Sequence, residues 1–285
     1  MRAFTLPLLL LLGGCAFNPF NYRHPDRPRY VGSYAEAPVS PAEPVFSVAT
    51  FNFQFAYGRN KAIALELLGS APFLQADAIA MQEVDSITVR DFAEKLRRNY
   101  VYYPAMLHTK TDREFGNAVL SRWPIQNDWK LLLPHLKPTN SQRIAVGVDL
   151  DFGGTSVRVY SVHLSTIQAV GKRVDQARTI LHDTFANCPK LVVVMGDFNS
   201  LLDRSQVAEA FEVGEFRWVT RDIGSTTKGL LHGPLDHVFT WGFNAPTRLE
   251  KIETSASDHM ALFAELPVSE PRQQTRPCPS LEDKG

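Results

Sequence analysis

The sequence predicts an α/β fold, a mixed system of β-sheets with helices on the outside, and three observations predict it. Helix-period and strand-period segments alternate through the first part of the chain. Later segments of strand character follow one another directly, two of them joined across Gly153-Gly154, a hairpin signal. Residues 191–195 form a short, wholly apolar run, as expected for a strand buried on both faces. Composition agrees. The 285 residues, 44% hydrophobic and 21% charged, are enough for one large α/β domain or two small ones, and they exclude a disordered or collagen-like chain. Thirty basic against 30 acidic side chains argue against a protein that coats nucleic acid through a strongly basic surface. Three cysteines are too few for a disulfide scaffold.

The chain opens with Arg2 and an apolar run from Leu6 to Leu12. That run is shorter than the roughly 20 residues of a spanning helix and suits a signal-peptide core. Leu12-Gly13-Gly14-Cys15 resembles the bacterial lipoprotein signal. The resemblance implies that residues 1–14 are a signal peptide, that Cys15 is lipidated, and that acyl chains anchor the protein to a membrane. A secretory signal with a coincidental cysteine is the alternative. Ala16, in place of Asp, points by the same resemblance to the outer membrane of a two-membrane envelope. Residues 15–44 carry Pro19, Pro25, Pro28, Pro38, Pro41 and Pro44 and read as an extended tether. Arg23, Arg27 and Arg29 within it are either solvated or face anionic headgroups. A second Pro-rich segment, 267–285, reads as a flexible tail, leaving residues 45–266 as one sheet-based domain. Cys188 and Cys278 are free to pair in an exported protein. Zinc is poorly supported, because no cysteine lies within ligand spacing of another or of a His pair.

Within the domain, residues 45–53 alternate as a strand, 61–68 read as a helix, and 77–84 return to strand. Residues 88–98 are an amphipathic helix with Phe92 and Leu96 four apart on one face. Strands are predicted at 101–106, 117–121, 144–150 and 157–163, a long helix at 167–185, and further strands at 191–195, 235–241 and 259–266.

Polar residues gather at the ends of these runs: Asn52, Glu83, His163, Asp197, Asn199, Asp236, Asp258 and His259. Strand ends feeding loops are where α/β folds aim short side chains into a common cleft. Each residue has a plainer reading as a turn, cap or strand-edge group. Jointly, oxygen donors in this number suit Mg²⁺, with Mn²⁺ as a substitute, and two histidines beside carboxylates supply acid and base candidates. Such a set suits hydrolysis of a phosphate ester.

Seven motifs then occur in one order: Thr50-Phe51-Asn52, Met81-Gln82-Glu83-Val84, the segment from Gly116 to Arg122, Ser161-Val162-His163-Leu164, Gly196-Asp197-Phe198-Asn199, Leu235-Asp236-His237-Val238 and Ser257-Asp258-His259. They resemble the endonuclease/exonuclease/phosphatase superfamily, over about residues 45–266. The resemblance implies a four-layer α/β/β/α sandwich of two packed mixed sheets with outer helices, and a metal-dependent phosphoester hydrolase. It implies Glu83 as principal metal ligand with Asn52 and Asp258 nearby, and Asp236 orienting His259, which takes a proton from water. Asp197 and Asn199 would position that water and the phosphate, while His163 would stabilise the transition state or protonate the leaving group. Asn117 is expected to face the cleft, and Arg143 to contact phosphate or, on the plainer reading, form a surface salt bridge. Arg173, Gln176 and Arg178 read as a solvated helix face.

The sequence departs from the pattern at Gln54, where some members carry a second acidic residue, and Glu114 is the candidate carboxylate partner of His163. Nucleic acid is the first expected substrate, because His163 and Arg143 are deoxyribonuclease-like and Lys110, Arg113, Arg122 and Arg143 could form a basic patch. A phospholipid, as in sphingomyelinase-type enzymes, and a small phosphoester follow, and the protein is expected to be a monomer. A non-catalytic envelope binding protein is the alternative of another class.

Overall fold

The structure, a computed structural model, describes residues 20–36, 44–55, 59–109, 111–135, 141–166, 170–186, 188–201, 204–229 and 232–268. The expectations placed on the signal segment, Cys15, Lys110, Cys278 and the chain beyond residue 268 lie outside these residues.

The strands in chain order are β1 (Tyr30–Gly32), β2 (Val45–Asn52), β3 (Ala78–Val84), β4 (Asn99–His108), β5 (Arg113–Ser121), β6 (Ile125–Leu133) and β7 (Arg143–Phe152). They continue with β8 (Thr155–His163), β9 (Leu191–Asp197), β10 (Arg217–Trp218), β11 (Asp236–Trp241), β12 (Arg248–Ile252) and β13 (Ala261–Pro267). The helices are α1 (Arg59–Leu68), α2 (Ala71–Gln75), α3 (Ser86–Leu96), α4 (Val170–Ala186) and α5 (Arg204–Val213). A seven-stranded sheet runs β1-β4-β5-β3-β2-β13-β12, and a six-stranded sheet runs β10-β11-β9-β8-β7-β6. Both are mixed, with the parallel pairs β2–β3 and β8–β9 inside otherwise antiparallel sheets.

Three apolar layers hold the sheets and helices together, which makes the expected four-layer sandwich. Between the sheets, Phe46 and Val48 of β2 meet Val146 and Val148 of β7, Val193 and Met195 of β9, and Val238 of β11. The residues that alternate with them, Ala49 and Phe51 of β2 and Ile79 and Met81 of β3, point the other way onto Val89 and Phe92 of α3. Val192 and Val194 of β9 likewise meet Ala177 and Ile180 of α4 and Phe211 of α5. The run 191–195 is apolar throughout because both its faces are covered. Asp85 caps α3, accepting from Thr88 N at 2.7 Å.

The segment expected to be a free tether is, over residues 20–36, part of the folded unit. β1 adds to the edge of β4 with Tyr30 opposite Tyr102 and Gly32 opposite Tyr100. The buried Lys130 ammonium donates to the Tyr22 and Arg27 carbonyls, each at 3.0 Å. Arg29 forks onto both Asp128 oxygens at 2.6 Å, so this arginine serves the fold and not a headgroup. The proline-rich composition hid a segment anchored by pairing with an edge strand and by single directional side-chain bonds, neither of which needs apolar periodicity. Cys188 is disulfide-bonded, with its partner outside the described residues.

Candidate active site

The strand ends expected to carry chemistry come together at one end of the two sheets. Asn52 ends β2, Glu83 lies one residue before the end of β3, and His163 and Asp197 close β8 and β9. Arg143 opens β7, Asp236 opens β11, and His259 stands just ahead of β13. Because β8 and β9 are parallel with His163 opposite Asp197, their polar last residues must share one edge.

Local backbone conformation aims these groups. β3 bulges against β5 between Gln82 and Val84, and the bulged residue is Glu83, at φ +56°. A bulge turns its side chain out of the pleat, here into the cleft. Gln54, Phe55 and Asn199 also have positive φ, so strained residues cluster around the site. Gly196, at φ +143°, precedes Asp197, and a Cβ there would lie 2.1 Å from the Val162 carbonyl oxygen. Only glycine lets β9 approach β8 that closely.

The geometry is dense and polar. Asn52 Nδ2 donates to Glu83 Oε1 at 3.2 Å and to Asp197 Oδ2 at 3.0 Å, while its Oδ1 accepts from Gln54 N at 3.0 Å. His259 Nδ1 lies 2.8 Å from Asp236 Oδ2, and its Nε2 lies 3.7 Å from Asp197 Oδ2. His163 Nε2 is 3.5 Å from Asp197 Oδ2 and 3.8 Å from Glu83 Oε1. Arg143 Nη1 lies 3.1 Å from both ring nitrogens of His163 and packs over Phe115. Asn199 reaches back through Nδ2 to the Leu164 carbonyl at 3.1 Å. Asp258 is exposed at the rim and touches Ser257 Oγ.

Burial sets the charges. It pushes the Glu83 carboxyl above its ordinary range, opposed by the Asn52 amide, Arg143 and His259. It pushes Asp197 up to about 7, with His259 opposing. His163 is held well below its usual value by burial and by the Arg143 and His259 charges, so its ring is neutral. For His259, burial disfavours the charge, but Asp236 and Asp197 outweigh it and hold the imidazolium up to about 10. The two histidines thus stand in opposite protonation states 3.5 and 3.7 Å from one carboxylate. Ligand atoms of Glu83, His163 and Asp197 lie within 4.8 Å of one another, as do those of Asp197, Asp236 and His259.

Several expectations need correction. Asn117 does not present its amide to the cleft: Nδ2 donates to the Ile144 and Ser161 carbonyls at 3.0 and 3.1 Å and ties sheet to sheet. Glu114 accepts from Tyr30 Oη at 2.7 Å and is not the partner of His163, which has Arg143, Asp197 and Glu83 around it. Arg143 forms no surface salt bridge; it is buried against His163. Arg173 and Gln176 are buried, not solvated. Arg173 Nη1 donates to the Ser165 and Thr166 carbonyls, and Gln176 bonds Ser165 and the Pro134 carbonyl, clamping the turn after His163. Arg178 is exposed as expected. The basic patch does not form among the described residues: Arg113 is ion-paired with Asp85, Arg122 bonds the Gln75 carbonyl at the opposite end of the sheets, and Arg143 is buried.

Thr226 is a site residue the sequence did not disclose. Its hydroxyl donates to Asp236 Oδ2 at 2.7 Å and accepts from the Leu235 and Asp236 amides at 3.0 Å, fixing the carboxylate that faces His259. No local pattern marks it, since its partners lie nine and ten residues away.

The profile of the Endonuclease/Exonuclease/phosphatase family matches residues 49–259. Comparison with curated proteins finds no match. Among solved structures, an endonuclease/exonuclease/phosphatase family protein from Leptotrichia buccalis superposes with a TM-score of 0.65 at 18% identity, covering 78% of this chain and 99% of that one. D. rerio TDP2 complexed with single-strand DNA product gives a TM-score of 0.60 at 16% identity, covering 79% of this chain and 99% of that one. A mannosyl-6-phosphatase from Bacteroides thetaiotaomicron gives 0.58 at 15% identity, covering 78% and 99%. These likenesses show the fold.

Proposed function

The chain belongs to the endonuclease/exonuclease/phosphatase family, whose members are metal-dependent hydrolases of phosphate esters, and from that premise we propose a Mg²⁺-dependent phosphoester hydrolase of the cell envelope. One observation carries the reading: Asn52, Glu83, His163, Asp197, Asp236 and His259 converge within one bonded cluster at the end of the sandwich.

The donor set fits a divalent cation. Burial pushes the Glu83 and Asp197 carboxyls up, a cost of their negative charge that a bound cation would relieve. Glu83 would hold the ion, with Asn52 and Asp258 beside it, and oxygen donors of this kind favour Mg²⁺ or Mn²⁺. When bound, the ion draws charge from a phosphate oxygen and eases departure of the leaving oxygen. The chain's own groups do the rest. Asp197, which burial pushes up to about 7, is the group that takes the proton of an attacking water, and the protonated His259, with Nε2 3.7 Å away, stabilises the charge around it rather than taking the proton itself. Asp236, bonded to His259 Nδ1 and to Thr226, fixes the ring's direction. Neutral His163 and buried Arg143 offer N–H donors to the phosphate as its charge grows, a contribution of about 3 kcal/mol for a well-placed donor.

Structural neighbours described as a TDP2–DNA complex and a mannosyl-6-phosphatase support phosphoester chemistry on this fold without choosing a substrate. Nucleic acid loses the basic patch on which its preference partly rested. Attachment through Cys15 completes the reading, and the protein would act as a monomer. The test is turnover by the purified chain on plasmid DNA, RNA, sphingomyelin and soluble phosphomonoesters, with Mg²⁺ and with chelator. Glu83→Gln and His259→Ala are each expected to lower turnover at least about 100-fold while leaving the circular dichroism spectrum unchanged. Unaltered rates in both variants would reject the assignment.

A further inference from the structure

Strand register fixes where the chain enters the sandwich. The site occupies the end at which β2, β3, β8 and β9 finish and β7 and β11 begin. β4 finishes and β5 begins at that same end, with His108 opposite Arg113. Residues 20–22 lie there too. Leu107 N donates to the Phe20 carbonyl at 2.8 Å, Tyr22 N donates to the Ala105 carbonyl at 2.9 Å, and Asn21 pairs with Met106. Asn21 Oδ1 accepts from Gln142 N at 2.9 Å, next to Arg143 of the site. From this corner the segment runs back along β4, reaching Tyr100 at Gly32. The polypeptide that precedes Phe20 therefore leaves the domain beside the mouth of the site.

Cys15 stands five positions before Phe20. Five residues reach at most about 18 Å when fully extended, whereas a ten-residue strand such as β4 spans about 33 Å. An acyl anchor on Cys15, which is part of the reading given above, then keeps the site end next to the bilayer and the other end away from it. Apolar side chains are available there. Of the six exposed large hydrophobics among the described residues, Phe20 (62% exposed), Ile87 (56%) and Leu201 (39%) lie at the site end. Phe20 is beside Leu107, Ile87 is in the first turn of α3 after β3, and Leu201 follows β9. The other three lie away from it: Leu74 in α2 ahead of β3, Val31 of β1 opposite Val101 near the start of β4, and Val213 at the end of α5.

We propose that the site end of the sandwich is a membrane-docking surface. It rests on the bilayer that holds Cys15, with Phe20, Ile87 and Leu201 at the boundary between headgroups and acyl chains, and its mouth takes the phosphoester headgroups of that bilayer. Apolar side chains of an interfacial surface sink about 5–10 Å below the headgroups. The proposal gives the anchor a second role, since a tether leaving from the far end would hold the mouth toward solution.

Depth-dependent quenching tests it without relying on catalysis. The full lipidated chain is reconstituted in phosphatidylethanolamine–phosphatidylglycerol vesicles with or without brominated acyl chains. The emission added by Phe20→Trp and by Leu201→Trp is expected to fall about two-fold in brominated vesicles, and that added by Leu74→Trp to stay unchanged. Equal quenching of all three variants, or none in the first two although the chain floats with the vesicles, would overturn the docking surface alone. Failure to float would remove the anchor and the docking surface together, while leaving the hydrolase reading to the Glu83→Gln measurement. Plasmid DNA outside the vesicles cut as fast by the anchored chain as by the Cys15→Ser chain would also overturn the proposal, because the mouth would then open to solution.

Discussion

Asp236 acts on the site through one short bond. Its carboxylate, 2.8 Å from His259 Nδ1, is the nearest of the charges that hold that imidazole up to about 10 against burial. Asp236→Asn removes the charge and keeps the shape, so the His259 ring titration followed by NMR in metal-free protein is expected to move to lower pH; an unmoved titration would place the cause elsewhere. Thr226→Val takes one donor and one acceptor from the same carboxylate and from two buried amides. It should cost about 2 kcal/mol in urea unfolding. His237 gives a pH signature of its own. Burial among Trp218, Thr220 and Phe198, with Arg204 adding to it, holds its pKa down to about 3. The unfolded chain titrates near 6.5, so between these values it binds the extra proton. Stability from this group is whole above about pH 6.5 and declines as pH falls toward 3. At about pH 5 the loss reaches about 2 kcal/mol, and His237→Leu should flatten the fall in melting temperature between about pH 7 and pH 5.

Elements place the site by how closely they can approach. Gly196 is required where β9 passes β8, and Gly196→Ala would force a Cβ to 2.1 Å from the Val162 carbonyl oxygen at a φ of +143°. Strain of this kind at a site strand is expected to cost about 3 kcal/mol or more and to lower activity with it, checked by urea unfolding beside turnover. The strands that periodicity disclosed, such as β2, β3, β8 and β9, are central, with both faces buried, and their apolar runs report that directly. β6 and β12 escaped because they are sheet edges. β6 carries Gln126-Asn127-Asp128 directly after its first residue, and β12 intersperses charged residues in Arg248-Leu249-Glu250-Lys251-Ile252. α5 escaped because only Val207, Ala208 and Phe211 of its ten residues are buried, too narrow a stripe to show as a period.

The whole molecule is closed at one edge by its own N-terminal segment. Residues 20–36 supply β1, the carbonyls that satisfy Lys130, the guanidinium on Asp128 and a bond to the residue before Arg143. Removing residues 1–36 would leave Lys130 buried beside unfilled acceptor positions and β4 as an open edge. Several hydrogen bonds at about 1 kcal/mol each imply a fall in melting temperature of about 10 °C, measurable by calorimetry on the shortened chain. A melting temperature within error of the full chain would show the segment to be only laid on the surface.

By itself the sequence disclosed a mixed sheet system with outer helices and the strand-end residues, because buried strands and short side chains at their ends leave periodic, local marks, and the sandwich followed from the resemblance of its ordered motifs to a known family. It also carries, at Leu12-Gly13-Gly14-Cys15, a resemblance to a lipoprotein signal. Only the tertiary structure decided what those residues touch: that Asn117 joins the sheets, that Arg143 lies against His163, that Thr226 holds Asp236, and that the expected tether folds back to the mouth. Contacts of this sort link positions as far as 145 residues apart, as Asn52 and Asp197 are, through single directional bonds, and a one-dimensional pattern holds no trace of a bond that depends on where two strands end in space.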